Sequence, residues 1–78
     1  MSLTAEFTVE PFTPGDPGPH VRAAFRAAEA HGATLEVGPF GTILRGASDD
    51  VVFDALHAAI RAAIAAGATR VSSQVSFD

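Results

Sequence analysis

Two segments of the chain alternate between apolar and polar residues. Leu3 to Phe12 does so strictly, and Arg70 to Asp78 repeats the pattern. In the first segment the two alternating sets are Leu3, Ala5, Phe7 and Val9 against Thr4, Glu6, Thr8 and Glu10. Successive side chains of a strand point to opposite faces of its sheet. Both segments are therefore predicted as strands with one apolar and one polar face.

Apolar residues at helical spacing predict a first helix after the proline-rich stretch PFTPGDPGP. Gly18 and Pro19 suit its N-cap and first position, and His31-Gly32 suits its C-terminal end. Its apolar positions are Val21, Ala24, Phe25 and Ala28. This side is expected to pack on the sheet.

A second helix is predicted from Ser48, which can cap it, to Gly67, which can end it. Asp49 and Asp50 in its first turn complement the helix dipole. Its apolar side is predicted to contain Phe53, Leu56, Ile60, Ala63 and Ile64. The polar residues Asp54, His57 and Arg61 form the opposite stripe and suit pairing on the surface.

Two short strands, Thr34 to Val37 and Thr42 to Arg45, flank a predicted hairpin at Gly38-Pro39-Phe40-Gly41. The element order is then β-α-β-β-α-β. Right-handed crossovers convert this order into a four-stranded antiparallel sheet, strand order 4-1-3-2, with both helices on one face. The sequence predicts one α+β domain of ferredoxin-like fold over residues 1–78. Its first strand is central, which puts Glu6, Thr8 and Glu10 on the face without helices.

Charge and composition argue against two classes of binding partner, nucleic acid and membrane. Nine acidic residues and five basic ones, all arginine, give a net charge of −4 without a basic block, which argues against nucleic acid. The apolar window from Val51 to Ala68 is interrupted by its polar stripe, so no membrane partner is expected. The absence of cysteine fits a reducing cytoplasm, and the N-terminal MSLTAEF does not predict a signal peptide. A chain this short buries little core, so a partner subunit is plausible.

Catalytic and cofactor motifs are missing. Glu6 and Glu10 share a strand face at a spacing of roughly 13 Å, beyond the about 5–9.5 Å of paired glycosidase carboxylates. The histidines, His20, His31 and His57, have no metal-ligand spacing. Neither a nucleophile elbow nor a phosphate-binding loop is present. The sequence therefore predicts a protein that is not an enzyme and has no cofactor or metal.

Two sets of residues leave a choice between structure and binding. Glu6 and Glu10 are either solvated or paired with Arg45 across the sheet, or they form a site for a cationic ligand. The segment GPFGT is either a plain hairpin whose Phe40 covers the core, or a ligand contact. In the second case its glycines let the backbone approach a ligand and Phe40 attracts a heteroaromatic cation.

Three segments, TAEFTVEPF, GPFGT and AGATRVSSQVSFD, together resemble the small thiamine-binding protein family, the single-domain relatives of the YkoF-like proteins. The resemblance covers nearly the whole chain. It implies a ferredoxin-like domain that forms dimers or tetramers through its sheets. It also implies binding of thiamine, or a related hydroxymethylpyrimidine-type heterocycle, without chemistry.

The candidate ligand-binding residues are Glu6, Thr8, Glu10, Phe40, Gly41, Thr42 and Arg45. The strand residues would supply polar and charge contacts, and the hairpin would supply stacking, backbone and hydroxyl contacts. Arg45 is either a salt-bridge partner or a ligand contact. The alternative function is a structural or regulatory module whose open sheet face serves only to oligomerise.

Overall fold

A computed structural model describes residues 2–11, 17–38 and 41–78. The elements are β1 (Leu3–Glu10), α1 (Pro19–Ala30), β2 (Thr34–Val37), β3 (Thr42–Arg45), α2 (Asp49–Ala65) and β4 (Arg70–Phe77). The four strands form one antiparallel sheet in the order β2-β3-β1-β4. The predicted ferredoxin-like fold and its strand order are thus confirmed.

The ends of the elements follow local chemistry. β1 ends at Glu10, two residues earlier than predicted, because the following Pro11 has no N–H to donate to a ladder. Gly18 and Pro19 begin α1 as predicted. Ser48 caps α2, where its hydroxyl oxygen accepts a hydrogen bond of 3.2 Å from the Val51 N–H.

Glycine follows the C-cap of each helix. Gly32 and Gly67 have φ of +87° and +108°, a region that L side chains rarely adopt. Their amides extend each helix end, since the Gly32 N–H bonds to the Glu29 carbonyl and the Gly67 N–H to the Ile64 carbonyl. Both predicted helix ends are confirmed.

The apolar face of β1 is the floor of the core. Its members Leu3, Ala5, Phe7 and Val9 are all buried, as the alternation predicts. Leu44 of β3 lies beside Ala5 and is fully buried as well. The two helices cover this face and pack extensively on each other.

The predicted core side of α2 is partly wrong. Phe53 and Ile64 are 51% and 52% exposed, although Leu56 and Ala63 are buried as expected. The buried positions of α2 are Val52, Ala55, Leu56, Ala59 and Ala63. α1 also buries alanines, so small side chains from both helices share the core and allow close packing. The buried stripe of α2 therefore consists mainly of small side chains, and two of its large apolar residues face solvent.

Candidate functional site

A cavity of about 380 Å³ opens between α1, the end of β1 and the β2–β3 hairpin. Its apolar wall consists of Phe7, Val9, Val21, Phe25 and Val37. Its remaining described lining consists of Thr8, Glu10, Gly38, Gly41 and Thr42. The volume falls within the roughly 300–1,000 Å³ typical of small-molecule pockets.

The cavity exists because β1 is longer than its neighbour β3. Their pairing runs from Ala5 opposite Leu44 to Phe7 opposite Thr42. β1 continues for three more residues, whereas the chain before Thr42 turns through the hairpin, which a 2.9 Å hydrogen bond from Gly38 N–H to the Gly41 carbonyl closes. Thr8 and Glu10 belong to the opposite face of β1 from the core. They line the cavity nevertheless, since no described residue of β3 pairs with β1 beyond Phe7.

Two phenylalanine rings form the inner wall. Phe7 and Phe25 pack edge to face, with centroids 6.4 Å apart and planes inclined by 72°. Phe7 is buried and Phe25 is partly buried. The negative faces of aromatic rings attract cations as well as apolar groups.

Glu10 is the charged residue among the described lining. Its carboxylate Oε2 lies 3.6 Å from Nε of Arg70, and the two side chains are 51% and 74% exposed. Thr69 holds the Glu10 carbonyl through its N–H at 2.8 Å and its hydroxyl at 3.2 Å. The main chain of Glu10 is thus fixed by β4, while its carboxylate is half-exposed and in contact with Arg70.

Gly41 and Thr42 bring the hairpin against β1. A Cβ on Gly41 would lie 3.1 Å from the Phe7 carbonyl oxygen and 3.2 Å from side-chain atoms of Glu6 and Thr8. Thr42 is only 6% exposed and is the buried polar residue of the described chain. Both predicted residues therefore line the cavity.

Glu6 is absent from the described lining of this cavity, although its Cγ lies close to Gly41. It lines a shallower groove of about 180 Å³ on the sheet face that has no helices. The other described residues of the groove are Thr4, Ile43, Gln74, Val75 and Ser76. Of the predicted residues, Thr8, Glu10, Gly41 and Thr42 line the cavity, and Glu6 lines the second groove. Phe40, the predicted stacking residue, lies outside the described residues.

Arg45 does not pair with Glu6 or Glu10 within this chain, so this one of the alternatives for the two carboxylates is not found. Its Nη1 lies 3.2 Å from Oε2 of Glu36. Arg45 is placed directly opposite Thr34 on β2, so Glu36, two residues along, is on the same face and within reach. Glu10 has its own basic neighbour, because Arg70 is opposite it on β4.

The sequence patterns did not nominate several cavity residues. Phe7, Val21 and Phe25 appeared as core positions, and a periodic pattern cannot tell a residue that fills the core from one that borders a cavity. Arg70 appeared only as the first residue of the last predicted strand. A signal for Arg70 was available, because antiparallel pairing of the two alternating strands permits Glu10 to lie opposite it.

The α2 polar stripe and His20 do not belong to the described lining of the cavity. Asp54, His57 and Arg61 are exposed, and no ion pair among residues 17–38 and 41–78 joins them. His20 Nε2 contacts the Pro11 carbonyl. The described parts of the chain contain no group of three acidic or histidine residues that could hold a metal ion. They also contain no helix long and apolar enough to cross a membrane.

These features define a ferredoxin-like α+β protein with a ligand-sized cavity between its first helix and its sheet. The family model for thiamine-binding proteins matches residues 5–78. The chain belongs to that family. No curated protein matches it.

Several solved structures are similar. A domain of unknown function, DUF77, from Bacillus cereus is 30% identical with a TM-score of 0.68, over 97% of this chain and 73% of that one. A protein from Streptococcus pneumoniae is 25% identical with a TM-score of 0.58, over 97% of this chain and 83% of that one. A hypothetical protein from Methanocaldococcus jannascii is 20% identical with a TM-score of 0.68, over 99% and 78% respectively, and supports the fold alone.

Proposed function

We propose that this protein binds thiamine, or a related hydroxymethylpyrimidine-type heterocycle, in the cavity beside α1 and releases it unchanged. The observation that carries the proposal is the lining of that cavity. It combines a wall of two phenylalanines with a single described acidic residue, Glu10. Thiamine has flat heteroaromatic rings and a permanent positive charge, which these two features complement. Family membership agrees with this ligand class.

The cavity suits binding better than catalysis. Its described polar side chains belong to Thr8, Glu10 and Thr42. Glu10 is the one of these three that could act as a general base, and its described partner is Arg70 rather than a threonine. Binding of a preformed cation needs only shape and charge, which the cavity provides. The cysteine-free composition fits a cytoplasmic site of action.

Titration calorimetry with thiamine, its phosphates and its pyrimidine fragment tests the proposal. Glu10→Gln removes the charge and keeps the size. We expect thiamine to bind up to about five-fold more weakly, because an exposed ion pair contributes about 0.2–1 kcal/mol. Glu6→Gln is the matched control, since it makes the same change on the same strand in the other groove. If Glu6→Gln weakens thiamine binding and Glu10→Gln does not, the site lies on the open face of the sheet instead. No heat with any of these compounds, in a folded sample, would end the proposal.

We further propose that the protein is a homo-oligomer that uses the outer edge of β4. This eight-residue strand pairs with β1, and no described strand pairs with its other edge. Most of the large apolar side chains that are exposed belong to β4 and the neighbouring α2: Phe53, Ile64, Val75 and Phe77. We assign a second copy of this chain as the partner of this edge. Two β4 strands can pair antiparallel across a two-fold axis, which extends the sheet.

The open face of the sheet is a poorer oligomer surface. Apart from Ile43, the residues facing it are threonines, serines, glutamine and charged residues, including the ion pairs of Arg45 and Arg70. Native mass spectrometry of Val75→Lys and Ser76→Lys separates the two surfaces, because these neighbours point to opposite faces of β4. We expect Val75→Lys to give monomers and Ser76→Lys to keep the oligomer. A monomeric wild-type protein would overturn the oligomer proposal.

The second candidate function is an oligomerisation module without a small ligand. The apolar side chains along β4 and α2 favour it, since they serve assembly whether or not the cavity is filled. An oligomer that gives no binding heat with thiamine or its fragments would select this function.

A further inference from the structure

We infer that Arg70 competes with a cationic ligand for the Glu10 carboxylate, so that a positively charged ligand replaces the Arg70 side chain at the cavity rim. This inference rests on the proposed function. It adds that Arg70 sets the relative affinity of the cavity for cationic and uncharged ligands. Glu10 lines the cavity and Arg70 does not belong to its described lining. The two are nevertheless in ion contact, with Nε of Arg70 3.6 Å from Oε2 of Glu10.

The contact is weak enough to exchange. Its length of 3.6 Å exceeds the roughly 2.7–2.9 Å of a charge-assisted hydrogen bond. Both side chains are more than half exposed, and exposed ion pairs contribute little because water and salt screen them. A ligand held by the aromatic wall would bring its charge to Glu10 with its position already fixed. Arg70 has to order a long flexible side chain for the same contact.

The exchange does not disturb the fold. Glu10 and Arg70 are paired residues of the β1–β4 ladder, and Thr69 binds the Glu10 carbonyl by two hydrogen bonds. These main-chain contacts remain when the arginine side chain moves away. Arg70 is the described basic residue in ion contact with Glu10, whereas Arg45 is held by Glu36 near the other end of the β1–β3 ladder.

Competition makes a prediction that simple binding does not. A cationic ligand has to displace Arg70, whereas an uncharged ligand leaves the Glu10–Arg70 pair in place. Removing the arginine therefore strengthens binding of the cation and leaves the uncharged ligand unaffected. The effect decreases at high salt, since screening weakens the competing ion pair.

The test compares thiamine with its free hydroxymethylpyrimidine, by calorimetry at low salt and at a pH at which the free pyrimidine is uncharged. For Arg70→Gln we expect thiamine to bind about two- to five-fold more tightly, the range of an exposed ion pair, with no change for the pyrimidine. Arg70→Lys keeps the charge and should bind thiamine as the wild type does. In the Glu10→Gln background, Arg70→Gln should have no further effect, which completes a double-mutant cycle.

The outcomes separate the two proposals. Absence of binding by the wild-type protein contradicts the proposed function itself. Binding of thiamine that Arg70→Gln leaves unchanged or weakens, in a variant whose urea midpoint matches the wild type, overturns the role of Arg70 alone. Equal tightening for thiamine and the uncharged pyrimidine also overturns it, because that result indicates a steric effect rather than competition for charge.

Discussion

The ring of Phe25 on α1 packs edge-on against the ring of Phe7 on β1, with centroids 6.4 Å apart. This contact joins the first helix to the central strand and forms the inner wall of the cavity. The same pair therefore contributes to the stability of the fold and to the proposed ligand site.

Replacing Phe25 should affect both properties. We expect Phe25→Ala to lower the free energy of unfolding by about 2 kcal/mol, less than the roughly 3–5 kcal/mol of a fully buried phenylalanine because Phe25 is partly exposed. Phe25→Leu fills most of the space and should cost less than about 1.5 kcal/mol. Urea unfolding measures the stability, and calorimetry should show weaker thiamine binding in both variants. Unaltered binding by Phe25→Leu would contradict a stacking role for this ring.

Gly41→Ala tests the close approach of the hairpin to β1. The new Cβ would lie 3.1 Å from the Phe7 carbonyl oxygen, a main-chain atom that cannot move without shifting the central strand. We expect a loss of about 1–3 kcal/mol in unfolding free energy, as for other overpacked positions, and a smaller cavity rim that weakens ligand binding. A variant as stable as the wild type would mean that the hairpin adjusts freely.

Arg45→Gln tests whether Arg45 contributes to the site. Because Arg45 pairs with Glu36 at 3.2 Å and both side chains are more than half exposed, its removal should cost at most about 1 kcal/mol of stability. Thiamine binding should stay within two-fold of wild type, about 0.4 kcal/mol by the usual conversion. Arg70→Gln measured in the same series is the comparison, since it removes the arginine beside Glu10. A large change in affinity from Arg45→Gln would instead favour a site on the open face.

Gly67→Ala tests the end of α2. Gly67 has φ of +108°, and a Cβ there would meet no atom within 4 Å, so the expected cost is conformational. We expect the unfolding free energy to fall by about 1–2 kcal/mol. Gly67→Asn should cost less, because asparagine tolerates positive φ better than alanine. Equal losses from alanine and asparagine would point to a cause other than the backbone angle.

Local sequence patterns determined the elements and their order. Period-two alternation in β1 and β4, helical spacing in α1, and the glycines after each helix act through neighbours along the chain, so each predicted element was found. Strand order followed from the handedness of the crossovers, which is also a local property of twisted strands. The first strand was predicted two residues too long, since Pro11 ends the ladder.

Contacts between distant residues decided the rest. Ion-pair partners depend on strand register, and the register pairs Glu10 with Arg70 and brings Arg45 within reach of Glu36. The buried side of α2 depends on how closely α1 packs against it, so Phe53 is exposed although it is large and apolar. The cavity depends on β1 being longer than β3, because α1 covers the part of β1 that extends beyond β3. The sequence by itself thus determined the fold and part of the residue set. Only the tertiary structure could assign Glu6 and Glu10 to different depressions and bring Phe7 and Phe25 to one cavity wall.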